Sequence, residues 1–138
     1  MKYLTIIQAR SSSSRLSRKS LMSVAGIPLV HLCEIRAKND FSKLIAATSN
    51  EASDDDLAKM LLEAGVDVFR GSLTNVLSRF IDIADSHMLT DEDCIIRLTG
   101  DNPIVDSKFL EILRFSWEKF GLDYLSGHPA DMSNSIWP

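Results

Sequence analysis

Apolar positions along this chain switch between a period of two and a period near 3.6, and the switches mark out its elements. Tyr3, Leu4, Ile6 and Ile7 form a β-prone run that breaks at Ala9. Leu29, Leu32, Cys33 and Arg36 fall mostly on one face of a helix, with Pro28 suited to its first position. Residues 43–49, KLIAATS, read as a short buried strand that stops at the turn-prone Ser49-Asn50. Leu57, Met60, Leu61 and Ala64 then repeat as i, i+3, i+4, i+7. Ser53 is the expected cap of that helix, Asp54, Asp55 and Asp56 lie where its dipole favours negative charge, and Gly65 ends it.

The second half continues the alternation. Residues 66–69 predict a brief third strand, and Thr74 opens a helix with Leu77, Phe80, Ile81, Ala84 and Met88 facing inward. Residues 94–98, CIIRL, predict a fourth strand in which Arg97 alternates outward as a satisfied sheet charge. A last helix, capped by Asp106 or Ser107, carries Leu110, Leu113, Trp117 and Phe120 and stops at Gly121. Residues 123–125 look like the start of a fifth strand, and 126–138 are polar and unpatterned. Such alternation predicts an α/β fold, a Rossmann-like three-layer sandwich with a mainly parallel sheet, spanning residues 1–138 as one domain. Ligands of such sheets sit beyond the carboxyl ends of the strands. Residues 10–19, 49–51 and 99–101 all fall at that edge.

Charge sharpens the picture. Residues 1–33 hold five cations and no acid, while the rest of the chain carries net −9, giving −4 overall. An acidic body argues against nucleic acid as a partner, and one concentrated positive loop favours a small anion. No apolar run approaches the roughly 20 residues that span a bilayer, and the first strand does not resemble a signal peptide, so a cytoplasmic location without membrane contact is expected. Cys33 and Cys94 read as free buried thiols, and His31, His87 and His128 share no ligand spacing.

The positive loop carries Arg10, Arg15, Arg18 and Lys19 with serines at 11, 12, 13, 14, 17 and 20. Arginines fork onto phosphate oxygens and a lysine adds a mobile point charge. A solvated basic loop or a phosphorylation tract fits the composition as well. Neither GxGxxG nor GxxxxGK[ST] follows the first strand, so dinucleotide binding and P-loop hydrolysis lack their motifs. Asp101, set after Thr99-Gly100, could carry Mg²⁺ bridging phosphates or could simply cap a turn.

Ile6-Ile7-Gln8-Ala9-Arg10, then Arg15-Leu16 and Lys19, resemble the signature of the cytidylyltransferases that activate sugar acids. The similarity is nearest to the spore-coat polysaccharide branch, related to acylneuraminate and deoxy-octulosonate cytidylyltransferases. Their loop usually reads IIQAR-M-x-S-T-R-L-P-G-K, with Pro-Gly where Ser17-Arg18 stands here. The blocks 47–50, 68–72, 76–79, 97–103 and 123–126 extend the likeness over nearly the whole chain.

The resemblance implies a nucleotide-diphospho-sugar transferase fold and transfer of CMP from CTP to a sugar acid, with pyrophosphate released. It implies Arg15, Lys19 and Asp101 as catalytic residues and Asp101 as the Mg²⁺ ligand. The implied nucleotide-binding residues are Ala9, Arg10, Ser12, Ser13, Ser14, Arg15, Lys19, Ser49, Arg70, Thr99 and Asp101. It also implies a second metal-binding acid and an acceptor pocket beyond residue 138. The expectation is therefore a truncated form, weak or inactive in transfer, with exposed edges that leave room for a homodimer. A degenerate nucleotide-binding module and a transferase for a sugar phosphate with another base are the competing expectations.

Overall fold

The computed structural model describes residues 1–12 and 18–127. Contacts divide the chain into two compact units, residues 1–107 and 108–138.

In the first unit the opening apolar run becomes strand β1, Tyr3–Gln8, whose four middle residues are buried. It is central because both neighbours need it: the order is β5-β4-β1-β6, with β4 at Lys43–Ser49, β5 at Asp67–Gly71 and β6 at Cys94–Thr99. All three pairings are parallel, with Ile6 opposite Ile45 on one side and Arg97 on the other. The α/β prediction holds, and β4 matches its predicted span. Parallel neighbours need crossovers. Helices α1 (Leu29–Ala37), α2 (Asp55–Glu63) and α3 (Val76–Ser86) follow β1, β4 and β5 in the chain and lead to the next strand.

One sheet face buries Leu4, Ile6, Ile45 and Ala47 with Ile83 of α3, and Phe69, Phe80 and Leu89 pack around them. Strand alternation turns Thr5, Ile7, Ala46 and Thr48 to the other face. Val30, Cys33 and Ala37 of α1 and Leu57 and Leu61 of α2 are also buried. Each fully buried aliphatic side chain contributes about 1.5–3 kcal/mol. Arg97 donates to Gln8 Oε1 at 3.0 Å and lies over the Phe80 ring, so its charge is satisfied as expected. Cys33 and Cys94 are free, and burial, then the negative charge of Asp101, pushes the Cys33 thiol up to about 11.

Several expectations are corrected. The stripe of α3 is misphased: Leu77, Ile81 and Met88 are exposed, whereas Arg79 and Ile83 are buried and Val76 and Phe80 half-buried. The buried face therefore contains an arginine, which an apolar pattern counts as polar. Ser53 does not cap α2; it lies in a 3-10 turn, Ala52–Asp54, and Asp54 turns inward. Arg36 and Ala64 are exposed at the ends of their helices, and Pro28 precedes α1. In the second unit, α4 (Ser107–Phe120) ends at Gly121 with φ 57°, as read, but Phe120 is exposed and residues 123–126 form no strand.

The pattern also missed a hairpin, β2 (Ser23–Val24) with β3 (Ile27–Pro28). Its turn places Ala25 at φ 52° and Gly26 at φ 87°, the two left-handed residues of a type I′ turn. An alanine there is strained. Ala25→Asn should stabilise the chain by about 0.5–1 kcal/mol, read as a melting point raised by a few degrees. An unchanged or lower melting point would show that the turn does not hold this geometry in solution.

Candidate functional site

The site begins where β1 runs out of partners. Ala9 N–H donates to Ala47 O at 3.1 Å and Gly100 N–H to Gln8 O at 2.9 Å, so the exits of β1, β4 and β6 are stitched together. Gly100 has no room for a side chain: a Cβ would lie 2.8 Å from Ala9 Cβ and 3.1 Å from Val30 Cγ2. That close approach seats Asp101 beside the loop after β1.

The loop itself closes on backbone bonds. Ser11 O accepts from Arg18 N–H at 2.9 Å, and Arg10 O accepts from the Ser20 hydroxyl at 3.1 Å. Arg10 and Ser12 are exposed, while Ala9 and Ser11 are buried. Ser13, Ser14 and Arg15 lie outside the described residues. Arg18 takes φ 58°, a conformation suited to the glycine of the family pattern, and leads into the 3-10 turn Lys19–Leu21. Its guanidinium meets Asp56 at 2.6 Å, a solvent-exposed pair worth little.

Lys19 Nζ lies 3.0 Å from Asp101 Oδ2, both half-exposed. The Lys19 hydrogen bond, against a partial burial cost and helped by Thr99 and the lysine charge, holds the Asp101 carboxyl below the usual range. Thr99 is exposed at the end of β6. The structure thus brings Ala9, Arg10, Lys19, Thr99 and Asp101 to one edge of the sheet.

Ser49 and Arg70 reach the same edge and are tied into it by contacts within the chain. Ser49 is fully buried, its hydroxyl donating to Asp54 and its carbonyl accepting from Arg70 Nε at 3.0 Å. Arg70 Nη2 also donates to Glu51 O at 2.9 Å and pairs with Asp55 at 2.6 Å. Both residues fasten the exit of β4 to the start of α2.

Two residues that the pattern did not single out lie beneath this edge. Asp54 has no solvent exposure; its Oδ1 accepts from Ser11 N–H at 2.6 Å and its Oδ2 from the Ser49 hydroxyl and from Ser49 N–H at 3.2 Å. Burial raises its pKa, but the Ser49 hydroxyl, the Ser11 and Ser49 amides and the Thr48 hydroxyl outweigh it, so the carboxyl stays below its ordinary value. Arg79 is 1% exposed, with Nη1 donating weakly to Ala47 O at 3.5 Å. Burial depresses its pKa, the attraction of Asp54 opposes that, and repulsion from Arg10 adds to it. The spacing Val76, Arg79, Phe80, Ile83 was the available signal for Arg79. Among the described residues no cluster of three His, Cys, Asp or Glu side chains could hold a metal ion.

The sequence and the fold have counterparts. The family model described as Cytidylyltransferase matches residues 4–120, and the chain belongs to that family. It is 36% identical over 127 residues to the spore coat polysaccharide biosynthesis protein SpsF of Bacillus subtilis, covering 88% of this chain and 52% of that protein. Against a 3-deoxy-manno-octulosonate cytidylyltransferase of Haemophilus influenzae the identity is 27%, covering 91% and 49%. A solved cytidylyltransferase from Leptospira borgpetersenii superposes with TM-score 0.78 at 32% identity, over 86% of this chain and 50% of that one. CMP:2-keto-3-deoxy-manno-octonic acid synthetase, solved in complex with CTP, shares the fold with TM-score 0.68 at 19% identity. This chain spans about half the length of the curated relatives it matches.

Proposed function

We propose that the chain binds CTP at the carboxyl edge of the sheet and serves transfer of CMP to a sugar acid, with release of pyrophosphate. The observation that carries this reading is the Lys19–Asp101 pair, 82 residues apart in sequence, held beside Ala9 and Arg10 in a member of the cytidylyltransferase family. The naming of relatives for CTP and for deoxy-manno-octulosonate supports the choice of base and acceptor class.

In an in-line attack on the α-phosphorus, negative charge grows on the phosphoryl oxygens and the departing pyrophosphate. Arg10 and Lys19 supply fixed positive charge at the strand ends, and loop N–H groups add donors. Asp101 fits Mg²⁺: its carboxylate is ionised and half-exposed, and Mg²⁺ commonly takes one or two protein carboxylates with phosphate oxygens and water. When bound, the ion would neutralise phosphate charge. Lys19, now on Asp101, would then turn to phosphate.

Thermal-shift titration with CTP, UTP, ATP and GTP, with and without Mg²⁺, tests the reading. A ligand at 100 times its Kd stabilises the fold by about 2.7 kcal/mol, which raises the melting point by several degrees. The expected result is a shift with CTP that exceeds the others and grows with Mg²⁺. A cooperative melt unmoved by any nucleotide would overturn the proposal and leave a fold that no longer holds triphosphate.

A further inference from the structure

Arg79 is the charged group in this region whose donors the fold leaves unpaired among the described residues, beside two smaller buried hydroxyls, those of Ser11 and Thr48. Its stem is pinned: a Cβ on Gly71 would come within 2.7 Å of Arg79 Cγ and 3.5 Å of Cδ, so glycine at that position makes the space for it. Its head lies under the exit of β4, where Nη1 reaches Ala47 O. Nε and Nη2 are buried and meet no acceptor among the described residues. A buried guanidinium normally has its donors paired, because an unpaired buried charge costs several kcal/mol.

Among the described residues, Asp54 is the acid whose charge acts on Arg79. Asp54 attracts Arg79 from a distance while both of its oxygens are taken by Ser11 and Ser49. Arg10 adds a second positive charge from the loop side. Two arginines against one fully engaged aspartate leave a local positive excess at the strand ends.

Resting on the CTP reading above, we infer that Arg79 is itself a ligand-binding residue: its free Nε and Nη2 donors receive a phosphate oxygen of the bound triphosphate. The planar fork suits two oxygens of one phosphate or one oxygen shared, as lysine does not. Arg10 would then grip the same chain of phosphates from the exposed side.

The experiment compares CTP, inorganic tripolyphosphate and cytidine by calorimetry on the wild-type chain and on Arg79→Met and Arg79→Lys. Arg79→Met should weaken CTP and tripolyphosphate by the same factor, tenfold or more, and leave cytidine unchanged; Arg79→Lys should restore part of the loss. A purely structural arginine would lower the melting point of Arg79→Met and leave the tripolyphosphate affinity of the folded protein at the wild-type value, which overturns the inference. Nitrogen-15 NMR of the wild-type chain decides the matter if the variants do not fold. The Arg79 Nε–H signal should move on addition of tripolyphosphate, and a signal that stays put while CTP binds refutes the role of Arg79 alone. A wild-type chain that binds neither CTP nor tripolyphosphate refutes both this inference and the reading it rests on.

Discussion

Asp54→Ala should lower stability by about 3–5 kcal/mol, the cost typical of removing one partner from a buried charged network. The substitution strands two buried amides, Ser11 N–H and Ser49 N–H, and the Ser49 hydroxyl. It also removes the attraction that offsets the burial of Arg79. For a chain of 138 residues that loss lowers the melting point by on the order of 10 °C or more. Asp54→Asn keeps one acceptor but turns an N–H donor toward Ser49, so it should fall between alanine and wild type. The pH dependence gives a second reading. Because the folded pKa of Asp54 is depressed, its contribution is complete above the unfolded carboxylate value of about 3.9 and is lost as pH falls through the folded value. The wild-type melting point should therefore fall below about pH 4 more steeply than that of Asp54→Asn. Equal acid limbs, or an alanine variant within about 1 kcal/mol of wild type, would show that the buried network is not formed.

The second large effect concerns the ion pair at the sheet edge. Lys19→Met should weaken CTP by about 10- to 100-fold with or without Mg²⁺, since a charge-assisted hydrogen bond contributes about 1.5–3 kcal/mol. Asp101→Asn should behave differently in the two conditions. Without the metal, the change removes a carboxylate that repels phosphate and releases Lys19 from its 3.0 Å contact, so CTP should bind more tightly than to wild type. With Mg²⁺ the gain that the ion gives the wild type should vanish. Where turnover can be measured, loss of such a charge-stabilising contact costs on the order of 100- to 1000-fold. Calorimetry in EDTA and in Mg²⁺ reads both arms. An Asp101→Asn chain that keeps the full Mg²⁺ effect would remove Asp101 from the metal site.

The sequence was most legible where one kind of residue dominated a face. KLIAATS has no competing pattern, and the helix of Leu57 and Leu61 is bounded by Gly65 at φ 79°. The convergence of Ala9, Arg10, Lys19 and Asp101 at one edge also followed from strand–helix alternation and the order of the blocks. What escaped was polar and buried. Asp54 stands beside Asp55 and Asp56, which sit on the surface, and nothing in a run of three acids tells which one folds under. The apolar stripe expected for α3 runs through Leu77 and Ile81 because such a pattern counts Arg79 as polar. The fifth strand at 123–125 was read from alternation alone, and a strand needs a neighbour to pair with. The pattern also gives no sign that the Ser49 hydroxyl is buried against Asp54.

The order of the sheet also sets a timetable. Of the four sheet strands, β1 is made first and is one that must lie in the middle. Its partner β6 arrives last, and Lys2 bonds to Asp93 across 91 residues. At about 5–20 residues per second, one flank of β1 waits roughly 5–20 s for its partner to be made. Through that interval one edge of β1 presents unpaired backbone N–H and C=O groups, which makes the nascent chain, rather than the finished fold, the form most in need of a chaperone.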